Sequence, residues 1–429
     1  MIEIVGREAL LRKRKRAEFS DEEVATVRKI ITRVKEDGDQ ALVAFTKQFD
    51  GVKLNSLHVE EAELAEAAQA VEPKLMTALR HAAERIRRFH EKQLTASWIM
   101  EEADGTILGQ RVHPLERVGV YVPGGRAVYP STVLMNVIPA VVAGVKEVVM
   151  VTPPQPDGSI PAATLAAATV AGVNRVVKVG GAQAVAALAY GTASVPKVDK
   201  IVGPGNRFVA LAKQLVFGEV DIDSVAGPSE IVVIADETAD PVFVAADLLS
   251  QAEHGEDSSA ILITTSADLA ANVQTEVARQ CKQLERGRIA QTALERYGAI
   301  TVVGDLQEAA ELSNQLAPEH LELMVADPWS LLGRIRHAGA VFLGPYSTEP
   351  LGDYVAGPNH VLPTAGTARF FSPLGVDHFL KKSSLLCYGK EALLRDGPQA
   401  MALAEAEGLG AHAAAIRVRL EREGRKADE

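Results

Sequence analysis

Apolar positions up to about residue 110 recur mainly at helical spacing. Ser20-Asp21-Glu22-Glu23 has the form of a capping box, and Val24, Val27, Ile30, Ile31 and Val34 follow on one face before Gly38 closes the segment. Ala- and Glu-rich stretches over 60–70 and 74–94 extend this mostly helical region. From about residue 117 the period changes. Short β-branched runs at 118–122, 147–151, 175–179 and 200–202 alternate with small-residue stretches of helical length. That alternation predicts βαβ units and a parallel sheet covered by helices. It restarts after Gly227, with strands expected at 231–234, 260–263, 299–303, 321–325 and 340–343. Two α/β units in series follow; the pattern leaves open whether the first is inserted into the second. Beyond about residue 375 the alternation stops, and 389–429 reads as helices. So short a tail has no core of its own and must dock on another body.

Composition narrows the classes. The 429 residues, 47% hydrophobic with few aromatics, suit a large α/β enzyme core. A net charge of −11 argues against a nucleic-acid partner. The basic run Arg12-Lys13-Arg14-Lys15-Arg16 is short and isolated, and reads as a solvated helix face. The longest apolar run, 133–145, is interrupted by Asn136 and Pro139 and is too short to span a bilayer. No leader is visible behind Met1, and the two cysteines, Cys281 and Cys387, sit in unrelated contexts, so a cytoplasmic enzyme without disulfides or a cysteine metal site is expected.

Several polar clusters could carry chemistry. Val244, Asp247, Leu248, Gln251 and His254 share one face of an expected helix that stops at Gly255, so Gln251 and His254 can reach a common point. Alone, this is also what a helix C-cap looks like. Glycine-rich turns follow strands at 123–125, 180–183 and 203–206; they suit close approach of a phosphate or a ring, although the third glycine of the dinucleotide fingerprint is missing. Tyr121 could stack on a cofactor or simply end a strand. Ser229 follows a Gly-Pro turn between the units and lacks a nucleophile elbow. Glu319-His320 stands at a strand entrance, where a histidine base and a water-activating carboxylate could flank one substrate. Asp353, His254 and His412 would give a nitrogen and oxygen site suited to zinc, whereas Gln251 is a weak, unusual ligand that chemistry alone does not select.

Taken together, six stretches in one order carry a resemblance. They are Gly203-Pro204-Gly205-Asn206; Ala226-Gly227-Pro228-Ser229-Glu230; Gln251-Ala252-Glu253-His254; Ala317-Pro318-Glu319-His320-Leu321-Glu322; Gly352-Asp353-Tyr354 with Asn359-His360-Val361-Leu362-Pro363-Thr364; and Glu407-Gly408-Leu409 with His412. Over nearly its whole length the chain resembles the histidinol dehydrogenases. The resemblance implies two related, incomplete Rossmann-like three-layer (αβα) domains, one nested in the other, with a helical N-terminal segment and a small C-terminal tail domain. The corresponding boundaries are an arm over 1–18, a larger domain over 19–120 and 230–374, an NAD-binding domain over 121–229, and a tail over 375–429 that docks on a partner subunit.

The same resemblance implies a cytoplasmic homodimer with shared active sites that oxidises L-histidinol through L-histidinal to L-histidine, the last step of histidine biosynthesis, using two NAD⁺ and one water. One zinc per subunit would be held by Gln251, His254, Asp353 and His412 of the partner subunit, anchoring the substrate. Ser229, His320, His360 and Glu407 would contact substrate together with the zinc ligands, and Tyr121, Gln183 and Asn206 would line the NAD site. His320 would act as general base, being neutral often enough at pH 7, and Glu319 would activate water. Extra residues at 156–160 and Gly410 near the tail are the visible departures. A related zinc- and NAD-dependent dehydrogenase acting on another small alcohol, such as a sulfonated diol, is the alternative. A zinc hydrolase without nicotinamide and a non-enzymatic zinc-stabilised binding protein fit the residues less well.

Overall fold

A computed structural model of the chain describes residues 2–13, 19–124 and 128–425. Arg14, Lys15 and Arg16 of the basic run, the end of the expected 1–18 arm and Gly125 of the 123–125 turn lie outside the described residues. In chain order the strands are β1 (Trp98–Glu101), β2 (Ile107–Pro114), β3 (Arg117–Tyr121), β4 (Glu147–Thr152), β5 (Arg175–Lys178), β6 (Lys200–Val202), β7 (Asp221–Ile222), β8 (Glu230–Ala235), β9 (Ser259–Thr264), β10 (Ala299–Val302), β11 (His320–Met324), β12 (Ala340–Leu343) and β13 (Leu380–Cys387).

Two compact units divide the chain, one formed by Met1–Leu94 with Leu115–Phe379 and the other by Thr95–Pro114 with Leu380–Glu429. The first unit contains two five-stranded sheets, ordered β5-β4-β3-β6-β7 and β10-β9-β8-β11-β12. All pairs in both are parallel. Each sheet therefore has the same plan: its first strand lies in the middle, the next two run outward on one side and the last two on the other. The α/β repetition and its restart after Gly227 are what the hydrophobic pattern predicts. Strands β3, β4 and β8 to β11 are buried along most of their length, which is why they read as continuous apolar runs rather than alternating ones.

The N-terminal capping box forms as read. Ser20 Oγ accepts from the Glu23 N–H at 3.2 Å, and Glu23 Oε2 accepts from the Ser20 N–H at 2.8 Å, starting the helix Asp21–Asp37. Its buried face, Val27, Ile30, Ile31 and Val34, joins Ala41, Leu42 and Phe45 in one core with Val149, Val151 and Val177 of the first sheet. The second sheet carries a core on each face: Ile231, Val233 and Leu262 point to one, Val232, Ile234 and Leu323 to the other. Most of the interrupted apolar run lies in the helix Pro130–Ala143, which is buried from Thr132 to Ala140, and Asn136 donates there to the Thr132 carbonyl at 2.7 Å. No helix among the described residues is long and apolar enough to cross a membrane.

Two expectations need correction. The region up to residue 110 is not helical throughout: after the helix Pro73–Glu91, β1 and β2 form an antiparallel sheet with β13, in the order β1-β2-β13. The four residues of β1 are all exposed, and β2 pairs with a strand from the far end of the chain, so neither leaves a clear local period. The second unit is completed by the helices Lys390–Ala406 and Gly410–Arg425. The helix carrying Gln251 also ends sooner than expected, at Ala252 with Glu253 as its C-cap, and Gly255 lies beyond the stop.

Candidate functional site

One cavity of about 1930 Å³, counting its open mouth, gathers most of the polar clusters. Its first wall is the carboxyl edge of the first sheet: Pro123 and Gly124 follow β3, and Pro204, Gly205 and Asn206 follow β6. These two strands are neighbours at the point where the strand order reverses, the usual ligand position in an open parallel sheet. The opposite wall is the amino edge of the second sheet, where Ser229 precedes β8 and Glu319 and His320 enter β11. Gln251 and His254 come from the end of the helix Pro241–Ala252, and Asp353, Tyr354 and His360 from the loop after β12.

Local structure fixes these side chains. The helix Leu306–Leu316 ends in Ala317, whose φ of 50° is left-handed in a fully buried alanine. This turn aims Pro318-Glu319-His320 at the cavity. His320 Nδ1–H donates to the Glu230 carbonyl at 3.0 Å, so in the neutral ring the lone pair belongs to Nε2. Nε2 is buried without a hydrogen-bond partner; the nearest carboxylate oxygens, of Asp353 and Glu349, stand at 3.6 and 3.8 Å. Glu319 Oε2 accepts from the Glu230 N–H at 2.8 Å and lies 3.7 Å from His320 Nδ1. Asp353 sits in the π-helical turn Gly352–Ala356, and its carbonyl accepts from His360 Nδ1–H at 2.9 Å. Ser229 Oγ is 3.4 Å from His254 Nδ1.

The electrostatics follow from packing acids around one imidazole. Burial pushes Glu319 up to about 8 against the pull of His320. Burial alone would lower His320, but the carboxylates of Glu319, Asp353 and Glu349 outweigh it and raise the ring to about 10. In the protein chain by itself these carboxylates favour the protonated ring near pH 7. Burial also raises Glu349, to about 7, helped by the charge of Asp353. Asp353 is held at about 2, because the His320 and His360 rings overcome its burial. Packing around His254 and His360 lowers both, with Asp353 opposing, although much of the His254 surface opens to the cavity.

Among the described residues, His320, Glu349 and Asp353 each offer a ligand atom, all within 4.8 Å of one another, so they could hold a metal ion. Of the expected zinc ligands, Asp353 belongs to this group, and Gln251 and His254 line the same cavity. Gln251 is fully buried, and neither its amide oxygen nor its nitrogen has a hydrogen-bond partner. An orphaned buried acceptor beside carboxylates and imidazoles is what a divalent cation would satisfy, so the residues fit one. Glu407 and His412 belong to the second unit, where both are exposed, at the end of Lys390–Ala406 and in the first turn of Gly410–Arg425.

Tyr121 and Gln183 are buried and are not among the cavity-lining side chains. The Tyr121 hydroxyl accepts from the Gly181 N–H at 3.0 Å, and burial raises it to about 12, so it braces the 180–183 turn instead of offering a face for stacking. Asn206 does line the cavity while capping the helix Arg207–Val216, its Oδ1 accepting from the N–H groups of Phe208 and Val209 at 3.0 and 3.1 Å.

Glu349 is the site residue that sequence reasoning missed. It stands one turn before Asp353, and that i,i+4 spacing of two acids was the available signal. Behind it lie two more buried acids. Glu322 Oε1 accepts from the Glu349 N–H at 2.9 Å, Asp247 Oδ1 from the Thr348 hydroxyl at 2.6 Å, and Glu349 Oε2 from Ser250 Oγ at 3.1 Å.

Comparison with known proteins agrees with this architecture. The chain matches the family described as histidinol dehydrogenase over residues 12–420. A histidinol dehydrogenase from Halalkalibacterium halodurans is 59% identical over 404 residues, 94% of this chain and 95% of that protein. One from Aquifex aeolicus is 59% identical over 408 residues, 94% of each chain. The crystal structure of histidinol dehydrogenase from Elizabethkingia anophelis superposes with a TM-score of 0.94 at 39% identity, covering 99% of both chains.

Proposed function

The chain belongs to the histidinol dehydrogenase family of NAD-dependent dehydrogenases, and on that premise we propose that it oxidises L-histidinol through L-histidinal to L-histidine, with two NAD⁺ and one water. The observation that carries this reading is the convergence of Gln251, His254, Glu319, His320 and Asp353 from three separate segments on one cavity, beside the carboxyl edge of the first sheet.

Zinc would be held by Gln251, His254, Asp353 and His412 of the partner subunit in a homodimer. A cation held by these residues would supply the charge to orient the substrate's nitrogen atoms and to offset the carboxylates that hold His320 protonated. His320 Nε2 then takes the hydroxyl proton as hydride leaves the carbinol carbon for NAD⁺. With Nδ1–H committed to the Glu230 carbonyl, Nε2 is the nitrogen that carries the lone pair of the neutral ring. Glu319, fixed by the Glu230 N–H and ionised once the charge of a bound cation offsets its burial, would accept a proton from water as it adds to the aldehyde. His320 takes the proton of the resulting gem-diol during the second hydride transfer. Ser229, His360 and Glu407 contact the substrate, the carboxylate matching a cationic amino alcohol. Pro204, Gly205 and Asn206 would hold the dinucleotide, and Tyr121 and Gln183 would support that site from the buried side, Tyr121 through the Gly181 N–H. In domain terms, 19–120 with 230–374 would carry most site residues, apart from 95–114, which belong to the second unit; 121–229 would bind NAD, and 375–429 would dock on the partner.

Zinc-loaded protein given L-histidinol and NAD⁺ should form two NADH per histidine. Folded, zinc-loaded protein that reduces no NAD⁺ with L-histidinol would overturn the assignment.

A further inference from the structure

Lys213 and Asp223 form an ion pair that the site described above does not use. Lys213 is 2% exposed and Asp223 8%. The lysine stands on the helix Arg207–Val216, and the aspartate just follows β7. Between them they hold the whole peptide environment of Gly203. Lys213 Nζ donates to the Gly203 carbonyl at 3.0 Å, and Asp223 Oδ2 accepts from the Gly203 N–H at 2.7 Å. Gly203 has a φ of 111°, and a Cβ there would collide with the Tyr121 carbonyl oxygen. The chain thus leaves β6 through a bend that only glycine accepts, and both of its backbone polar groups are satisfied by charge. Asp223 Oδ1 also accepts from the Ser224 N–H at 2.6 Å, at the start of the segment that supplies Ala226 to Ser229 to the opposite wall.

A buried ion pair adds little net stability over an apolar pair of equal volume, since desolvation of the charges offsets their attraction. What this one supplies is position. We propose that Lys213 and Asp223 are positioning residues that set the Gly203–Asn206 turn, and through it the affinity for the nicotinamide dinucleotide. Because Asn206 Oδ1 is spent on the helix cap, its Nδ2 donors are the groups the turn presents to a ligand, and their placement depends on the bend at Gly203. This rests on the reading above that the cofactor lies beside Asn206.

The test uses the zinc-loaded dimer. Lys213→Met alone leaves a buried carboxylate unpaired and can fail to fold, so the double variant Lys213→Met/Asp223→Asn, which keeps volume and removes both charges, is compared with wild type and with Asn206→Ala. Calorimetry should show NAD⁺ binding weakened about tenfold in the double variant, the worth of one well-made hydrogen bond. Zinc content and KM for L-histidinol should stay within about twofold, and hydrogen exchange at residues 203–206 should quicken in protein without NAD⁺. A double variant that binds NAD⁺ as wild type does, while Asn206→Ala weakens it, overturns the clamp. If Asn206→Ala leaves NAD⁺ affinity unchanged, the cofactor-site reading itself falls, and the clamp falls with it.

Discussion

Glu319 and His320 divide one task by where their protons sit. Their polar atoms lie 3.7 Å apart, and the charge of each favours the ionised form of the other. In the neutral imidazole the lone pair belongs to Nε2, because Nδ1–H donates to the Glu230 carbonyl, whereas the carboxyl group is tied to a backbone N–H of β8. Only the second half of the proposed reaction consumes water, so the two side chains should separate under mutation. Glu319→Gln keeps the hydrogen bond geometry of an amide and removes the acceptor for the water proton. It should slow oxidation of L-histidinal by about 10²-fold or more while costing oxidation of L-histidinol to the aldehyde far less. His320→Asn removes the base common to both steps and should slow both alike. Assaying each variant with the alcohol and the aldehyde in turn checks this, and equal losses from both variants on both substrates would remove the division of labour.

Among the elements, the short segment Glu349–Ala356 decides where the acids point. It passes from the single turn Glu349–Leu351 into the π-helical Gly352–Ala356, and an added Cβ at Gly352 would stand 2.6 Å from the Phe342 ring. Gly352→Ala must therefore displace the Phe342 ring or the turn that carries Asp353. Zinc affinity measured by chelator competition should fall about tenfold or more, as for other residues that orient a ligand, with the fold retained. Unchanged affinity would show that Asp353 does not depend on this close approach. The same segment marks the limit of sequence reading. The strands of the two parallel sheets were legible because strands buried on both faces are apolar runs, and Gln251, His254, Glu319, His320 and Asp353 were legible through their motifs. The end of the helix Pro241–Ala252 was not, because a type of turn that still donates to helical carbonyls continues the pattern past it. Glu349 was not either, since a buried acid and an exposed one look alike until the packing around them is known. The sheet of β1, β2 and β13 escaped for a third reason: its partners are far apart in sequence, and the pattern in β1 carries no inward face.

At the scale of the whole molecule, two α/β sheets meet around an excess of buried acid, and that excess has to be balanced. Glu319, held up to about 8, and Glu349, held up to about 7, keep protons that the unfolded chain would release near pH 4.5. Glu322 and Asp247 are shifted upward as well, chiefly by burial. His320, raised to about 10, keeps a proton that the unfolded chain would release near 6.5. For every one of these groups the native state binds more protons than the unfolded state, so stability is lost as pH rises through the folded value. Asp353, held at about 2, has the opposite sign, but its stability is lost only in strong acid. His90, His254 and His360 are lowered, and their contribution grows with pH only up to about 6.5. The interval from pH 7 to 9 therefore isolates the acids and His320. Chelator-treated protein should lose on the order of a few kcal/mol across it, with Tm falling by roughly 3 °C or more. Zinc should restore Tm, and restore more at pH 9 than at pH 7, because the cation replaces protons that the site is losing. Calorimetric scans with and without zinc measure both. A metal-free Tm that holds level or rises from pH 7 to 9 would mean that the buried acids are balanced within the protein, and the need for a cation in this cavity would lose its physical basis.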